Sequence, residues 1–227
     1  MEAIVRNFDA AVLATIAALC YPALRWSTKL VNHKYSSWFV AAIVGLFGFL
    51  FFHSHSISHM ILEQSPPLRR ALAGQRFIEG GWPLVVADRK SGEILYYGYL
   101  NVAFKDGALA VWGDDWKPDG TYGQDFRAKQ TYLDDEGTLH YWYEQADKQQ
   151  RGYTFIKFFP LDAVAERQAG VFHDPVHPDV RFYARKMKDG ESPRSQEERR
   201  LAAKAFYDQV KPRLPAMLKT PINIDWE

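Results

Sequence analysis

The sequence predicts a membrane α-hairpin plus an all-β domain: two N-terminal transmembrane helices, a small antiparallel β-barrel of about eight strands and a C-terminal helix. Two apolar runs near the N-terminus predict the hairpin. Alternating apolar and polar residues after Gly80, with turn signals about every ten residues, predict the β domain. We therefore divide the chain into a hairpin at 1–62, a linker at 63–79, a barrel at 80–190 and a helical tail at 191–227.

The two apolar runs cover Phe8–Leu24 and Ser36–Phe52. At 1.5 Å per residue, runs of roughly 17–20 residues extend about 25–30 Å, close to the thickness of one hydrocarbon core. Glu2 and Asp9 beside a single Arg6 argue against a secretory signal. A buried hairpin in a protein without a membrane segment is the simpler alternative, but both runs are apolar around the whole helix. Lysines and arginines at the two ends are nearly balanced, so the orientation stays open.

Small side chains recur along both runs. Such residues let helices approach closely in lipid. They could serve the pair of helices within one chain or the contact between several chains, and the sequence leaves both open. The residues are Ala10, Ala14, Ala18, Ala41, Gly45 and Gly48.

Three histidines, His53, His55 and His59, follow the second run. His55 and His59 would share one helix face, because they are four residues apart. No cysteine or carboxylate stands nearby in the sequence to complete a four-ligand set. We interpret this segment as a polar helix end at the membrane interface, with a metal or proton-sensing site as the alternative.

The predicted strands are separated by turn signals rich in glycine, aspartate and proline. A tail helix should run from the N-cap residue Ser195 to Met217, and Pro212 and Pro215 should disturb its end. The predicted strands cover 82–89, 93–104, 108–116, 125–133, 138–145, 153–161, 171–175 and 180–187.

Composition limits the possible functions. The 28 lysines and arginines balance 27 acidic residues, so we expect no binding of duplex nucleic acid through a basic field. Cys20 is the only cysteine, so no intrachain disulfide can form. The sequence lacks the nucleophile-elbow and phosphate-loop motifs, and we expect no enzymatic activity and no resident cofactor or metal. A calcium-loop reading from Asp115 fails because Phe126 stands where a glutamate belongs, so we expect a turn with solvated carboxylates there.

A second polar cluster lies at residues 173–179, where His173, Asp174, His177 and Asp179 alternate with two prolines. Two imidazoles and two carboxylates could bind a metal or perform acid–base chemistry, as in a metal-dependent enzyme. A rigid polar loop without either role explains the same residues, and we favour it.

Aromatic and cationic residues on the predicted strands are the most informative feature. Aromatic rings stack on nucleobases, and guanidinium and ammonium groups neutralise phosphates. A lining of this kind would suit a small nucleotide, whereas tyrosines that merely fill the core are the ordinary alternative. The candidate ligand-binding residues are Tyr97, Tyr99, Trp112, Arg127, Tyr141, Lys157, Arg181 and Arg185; Tyr132 and Tyr143 belong to the same aromatic pattern.

The order of these parts, with the motifs at 80–82, 96–100, 106–113, 137–145, 169–174 and 181–186, resembles the two-transmembrane β-barrel effectors of bacterial anti-phage defence, which occur in CBASS and related cyclic-nucleotide systems. The likeness spans nearly the whole chain. The tail after Met187 is longer than a minimal barrel needs.

The resemblance implies a multi-pass protein of the bacterial inner membrane with its C-terminal domain in the cytoplasm. The barrel would bind a cyclic di- or oligonucleotide, and the transmembrane helices would then self-associate and disrupt the membrane in abortive infection. The motifs carry no ligand contacts over to this chain, so the candidate residues depend on the residue chemistry alone. A membrane-tethered, lipocalin-like barrel that binds a small apolar ligand is the alternative.

Overall fold

The protein is described by a computed structural model, which covers residues 2–29, 36–145, 151–161, 163–173, 179–188, 191–222 and 224–226. The chain divides into two compact units, Met1–Leu72 and Ala73–Glu227. We describe each unit by itself.

The N-terminal unit is helical. It contains α1 (Glu2–Lys29), α2 (Ser36–Phe52), α3 (Ser54–Gln64) and most of α4 (Pro66–Ala73). Large apolar side chains of α1 and α2 are exposed in the single chain. They include Leu19, Val44, Leu46, Phe49, Phe51 and Phe52, each more than half exposed.

Within the described residues, no single helix combines the length and the apolar composition that a bilayer span needs. One bent pair, Ala41–Phe52 followed by Ser54–Gln64 at 63°, meets that criterion by length and composition when its two parts are taken together. The predicted hairpin of two transmembrane helices therefore stays a prediction.

The C-terminal unit contains a closed antiparallel barrel in which each strand pairs with its neighbours in the chain and β1 also pairs with β8. This confirms the predicted eight-stranded barrel. A 3-10 turn, Gly74–Arg76, precedes it. The strands are β1 (Gly80–Asp88), β2 (Ile94–Lys105), β3 (Ala108–Trp116), β4 (Tyr122–Leu133), β5 (Leu139–Gln145), β6 (Arg151–Phe159), β7 (Arg167–His173) and β8 (Val180–Arg185).

Large side chains fill the half of the barrel that contains the start of β1. Trp82 is fully buried there, with its indole N–H 3.2 Å from the carbonyl oxygen of Ile78 and its ring 5.5 Å from that of Phe158. Leu100 and Leu139 are also fully buried. This half of the lumen is a packed core, because a barrel of about eight strands is just wide enough to be filled by side chains.

The tail covers one side of the barrel. Helix α5 (Gln196–Val210) is capped by Ser195, whose hydroxyl accepts a hydrogen bond from the backbone N–H of Glu198 at 3.1 Å. This confirms the predicted N-cap. The helix ends at Val210, before Pro212, and a short α6 (Leu214–Met217) follows. Apolar side chains of α5 and α6 pack with Trp226 against the outer surface of β1, β2 and β8. We call α5, α6 and the described residues after them the C-terminal cover.

Candidate functional site

A pocket occupies the other half of the barrel, at the end where β1 leads into β2. Its volume is about 60 Å³. Typical pockets for drug-sized ligands enclose roughly 300–1,000 Å³. In this conformation the lumen therefore admits only a small part of a ligand. The lining residues are Leu84, Val86, Tyr96, Asp115, Gln124, Phe126, Tyr141, Tyr143, Thr154, Phe172 and Phe182.

Aromatic rings and glycines alternate across this lumen. The ring of Tyr143 stacks on Phe172, with centroids 5.3 Å apart. A Cβ atom on Gly152 would clash with the hydroxyl group of Tyr143, and one on Gly170 would clash with the ring of Phe182. The two glycines therefore make room for the rings that line the pocket.

Asp115 is the acidic residue of the lining, and its side chain is only 8% exposed. One carboxylate oxygen, Oδ2, lies 3.4 Å from the amide nitrogen of Gln124. The other, Oδ1, is buried and has no hydrogen-bond partner among the described residues. The pKa of Asp115 is raised to about 7, mainly because the carboxyl group is buried; hydrogen bonds from Gln124 lower this pKa, and the nearby charges of Asp114 and Asp125 raise it.

Asp115→Asn should change how stability depends on pH. The pKa of Asp115 is about 7 in the folded chain and about 3.9 in the unfolded chain, so the folded state binds the proton more tightly. Stability should therefore fall as the pH rises from about 4 to 7, and the uncharged asparagine should remove this fall. We therefore compare the free energy of unfolding of Asp115→Asn with that of the parent chain. The difference, variant minus parent, should increase by about 2–4 kcal/mol between pH 4 and pH 8.

Urea denaturation of the full chain in a mild detergent, followed by tryptophan fluorescence, measures this difference. The signal reports mainly on the barrel unit, because five of the seven tryptophans lie in Ala73–Glu227. Asp119→Asn serves as a control, since Asp119 is exposed in a turn and hydrogen bonds lower its pKa. The prediction would be contradicted if the free energy of unfolding depended on pH in the same way for the parent chain and for Asp115→Asn.

The predicted turn with solvated carboxylates over residues 114–120 is confirmed at Asp119, which is exposed in a turn, but it is wrong for Asp114 and Asp115. Both residues belong to β3, and each is 8% exposed. Asp114 accepts a hydrogen bond from the guanidinium of Arg199 on α5 at 2.6 Å. The turn begins only after Trp116. A strand can contain consecutive acidic residues here because one meets a cation of the cover and the other points into the lumen.

The predicted ligand-binding residues do not converge on one site. Tyr141 lines the lumen. Tyr97 and Tyr99 are fully buried in the contact between the barrel wall and the C-terminal cover, where the ring of Tyr97 lies 5.3 Å from that of Tyr207. Arg181 lies on the same covered wall and donates hydrogen bonds to the carbonyl oxygens of Leu218 and Thr220 at 3.1 and 2.6 Å.

The remaining predicted residues also lie off the pocket lining. Trp112 is 37% exposed and pairs across the strands with Arg127. Lys157 lies 3.6 Å from Glu136, and Arg185 is opposite Arg167 in the register of β7 and β8. Their placement leaves the pocket without the cations that we expected to neutralise phosphates.

Sequence reasoning missed most of the pocket, including Asp115, Gln124, Phe126, Phe172 and Phe182. It placed Tyr143 in the aromatic pattern without selecting it as a ligand contact. Once the register is known, alternation alone identifies the lining, since residues two apart share a face. The glycines at 98, 113, 152 and 170 lie on that same inner face. They are the feature of the sequence that could have indicated which face of each strand lines the pocket.

The cluster at 173–179 falls mostly outside the described residues, which include His173 and Asp179 but not Asp174 or His177. Its interpretation as a polar loop or a metal site stays a prediction.

The fold and the pocket define a class: an up-and-down β-barrel with a small aromatic lumen, preceded by a helical unit. No protein-family profile matches the chain. No curated protein matches it. Similar solved structures include a de novo designed fluorescence-activating β-barrel, with 13% identity, a TM-score of 0.40, and coverage of 51% of this chain and 97% of the design. A redesigned β-barrel shares 8% identity at a TM-score of 0.41, covering 49% of this chain and 92% of that one.

Proposed function

We propose that this chain is a membrane-anchored sensor whose barrel binds a cyclic di- or oligonucleotide and whose helices carry the response. The buried Asp115 in its aromatic pocket is the observation that supports this most. An ionised carboxylate accepts hydrogen bonds and needs donors when it is buried. The edge of a nucleobase offers N–H donors, and its faces stack on aromatic rings such as Tyr143 and Phe172.

The size and charge of the pocket favour entry of a base alone. Because the described lumen holds about 60 Å³ and an acid, the sugars and phosphates would stay outside it. Exposed cations, Lys117 and Arg151, follow or begin strands at this end of the barrel. They could neutralise phosphates there.

The exposed apolar surface of α1 and α2 supports a response in the membrane. Patches of this kind on a single chain mark sites of membrane or protein contact. Ala10, Ala14 and Ala18 are exposed, and no other described atom comes within 4 Å of a Cβ built on Gly45. Close contact between several chains is therefore the proposed use of these small residues. The barrel would face the cytoplasm, and helix association would disrupt the bacterial inner membrane.

Isothermal titration calorimetry of the full chain in detergent tests the proposal with a panel of cyclic di- and trinucleotides. We expect one ligand to bind with a dissociation constant in the micromolar range or below, about −8 kcal/mol or stronger. Asp115→Asn should weaken that binding by about 10–100-fold, because the base loses a charged acceptor whose hydrogen bonds are worth about 1.5–3 kcal/mol.

Lys157→Met serves as the matched control, since Lys157 lies outside the pocket lining and should leave the affinity unchanged. Absence of binding across the whole panel would overturn the proposal. Ligand affinity must also differ between the resting and assembled states, because only differential affinity shifts a population. Cross-linking of the chain in vesicles should therefore increase on addition of the ligand.

A small apolar ligand is the second candidate. The lining favours it through Leu84, Val86, Phe126, Phe172 and Phe182, which carry no polar side-chain atoms. Such a ligand would bind at least as well to Asp115→Asn as to the parent chain, because no donor meets the carboxylate. A fluorescent fatty-acid analogue, titrated against both chains, separates the two candidates.

A further inference from the structure

Three metal-ligating side chains converge in the N-terminal unit. Asp9 belongs to α1, and His55 and His59 belong to α3. One ligand atom from each residue lies within 4.8 Å of the other two. The two imidazole rings are one helical turn apart on α3, with centroids separated by 4.1 Å.

The carboxylate of Asp9 is already oriented. Its Oδ2 lies 2.7 Å from Nδ1 of His55, and its Oδ1 accepts a hydrogen bond from the hydroxyl of the fully buried Ser58. Metal ligands are usually held in this way, because a hydrogen bond to one carboxylate oxygen fixes the other toward the ion.

His59 offers a second, independent observation. Its Nε2 atom is buried and has no hydrogen-bond partner among the described residues. A buried imidazole nitrogen requires a hydrogen-bond partner or, in its deprotonated form, a metal, since an unsatisfied polar atom costs about 1–3 kcal/mol.

The sequence offered the two histidines but gave no reason to pair them with Asp9. Asp9 is 46 residues from His55 and reaches it only because α1 packs against α3. We propose that Asp9, His55 and His59 form a binding site for a divalent transition metal, with zinc as the best match. The site is independent of the nucleotide proposal.

Zinc suits this set of donors. Two imidazoles and one carboxylate are ordinary zinc ligands at about 2.0–2.2 Å, whereas magnesium and calcium prefer oxygen. Ligand atoms around a tetrahedral ion with such bonds lie about 3.3–3.5 Å apart, so small side-chain rotations bring the three residues into range. Three protein ligands leave a fourth position for water or for a donor from another molecule. The ion would clamp α1 to α3.

Elemental analysis and cobalt spectroscopy of the full chain in detergent test the site. Chain purified with zinc and then dialysed should retain one zinc ion per molecule. Cobalt should give the visible absorption of a tetrahedral site with nitrogen and oxygen ligands. Asp9→Asn, His55→Ala and His59→Ala should each lower zinc affinity at least about 100-fold, since loss of a ligand exceeds the 10–100-fold effect of losing a group that only orients one.

Two further variants separate metal binding from a structural role. His53→Ala removes the neighbouring histidine, whose ring lies 4.3 Å from that of Phe49, and it should bind zinc as the parent does. Ser58→Ala keeps all three ligands and should weaken zinc binding by about 10–100-fold. Helix content, measured by circular dichroism, should be the same in every metal-free variant.

Absence of stoichiometric zinc in the parent chain would overturn the proposal. The proposal would also be overturned if His53→Ala lost as much zinc affinity as the variants of the three ligands. The same holds if a variant lacking all three ligands retained zinc. In those cases Asp9 and the histidines form only a hydrogen-bonded contact between helices.

Discussion

Replacing Trp82 with alanine should lower the free energy of unfolding of the barrel by about 3–5 kcal/mol, the usual cost of removing a buried tryptophan. The indole is fully buried and contacts the ring of Phe158. Its loss would leave a cavity and also the carbonyl oxygen of Ile78 without the indole N–H that now reaches it at 3.2 Å. Urea denaturation of the full chain in detergent, with hydrogen exchange of the strands, measures the loss.

Trp142→Ala is the matched control for this change. Trp142 lies in the same barrel but is 56% exposed, so its removal should cost less than about 1 kcal/mol. Equal effects of the two substitutions on the free energy of unfolding would show that Trp82 does not form part of a packed core in its half of the barrel.

Replacing Arg181 with methionine should lower the stability of the barrel and its cover by about 2–4 kcal/mol, because two hydrogen bonds from a charged group disappear. Arg181 is 7% exposed, and its guanidinium meets the carbonyl oxygens of Leu218 and Thr220. Tyr183 holds the same segment through a hydrogen bond of 2.7 Å to Met217. We expect faster hydrogen exchange in α6 and faster proteolysis around Lys211 and Lys219.

Arg185→Met tests whether this effect is specific to Arg181. Arg185 follows four residues later on the same strand and shares its face, but no hydrogen bond to the cover is described for it. It should therefore cost much less stability. Nucleotide affinity should survive both substitutions, since neither arginine lines the pocket. Loss of binding together with full stability in Arg181→Met would restore the role that the sequence predicted for it.

The barrel was predictable because its signals are local. Turns recur at Asp106-Gly107, Gly120 and Gly137, where the backbone adopts positive φ angles that glycine accepts readily. The N-cap at Ser195 is equally local, because its partner Glu198 stands three residues away. Each of these features depends on a few neighbouring residues, which the sequence displays directly.

The site was not predictable to the same degree, because it depends on which face of each strand points inward. Alternation is lost in β2, where Tyr97 and Tyr99 meet the cover while Leu100 and Val102 are buried as well. A strand covered on both sides reads as one apolar run, so its tyrosines looked like lumen residues. Whether these tyrosines face the lumen or the cover depends on the position of α5, which lies about 100 residues further along the chain.

Closure of the barrel depends on the pairing of β1 with β8, and that seam lies beneath the C-terminal cover. During synthesis on the ribosome, β1 and its partly apolar outer face emerge long before Val180 and the cover are available. One edge of β1 then has nothing to pair with, and unpaired edges invite association with other chains. The helical unit precedes β1 in the chain and therefore emerges before it. Chaperone binding to the nascent chain is therefore most useful after β1 has emerged and before β8 and the C-terminal cover are available.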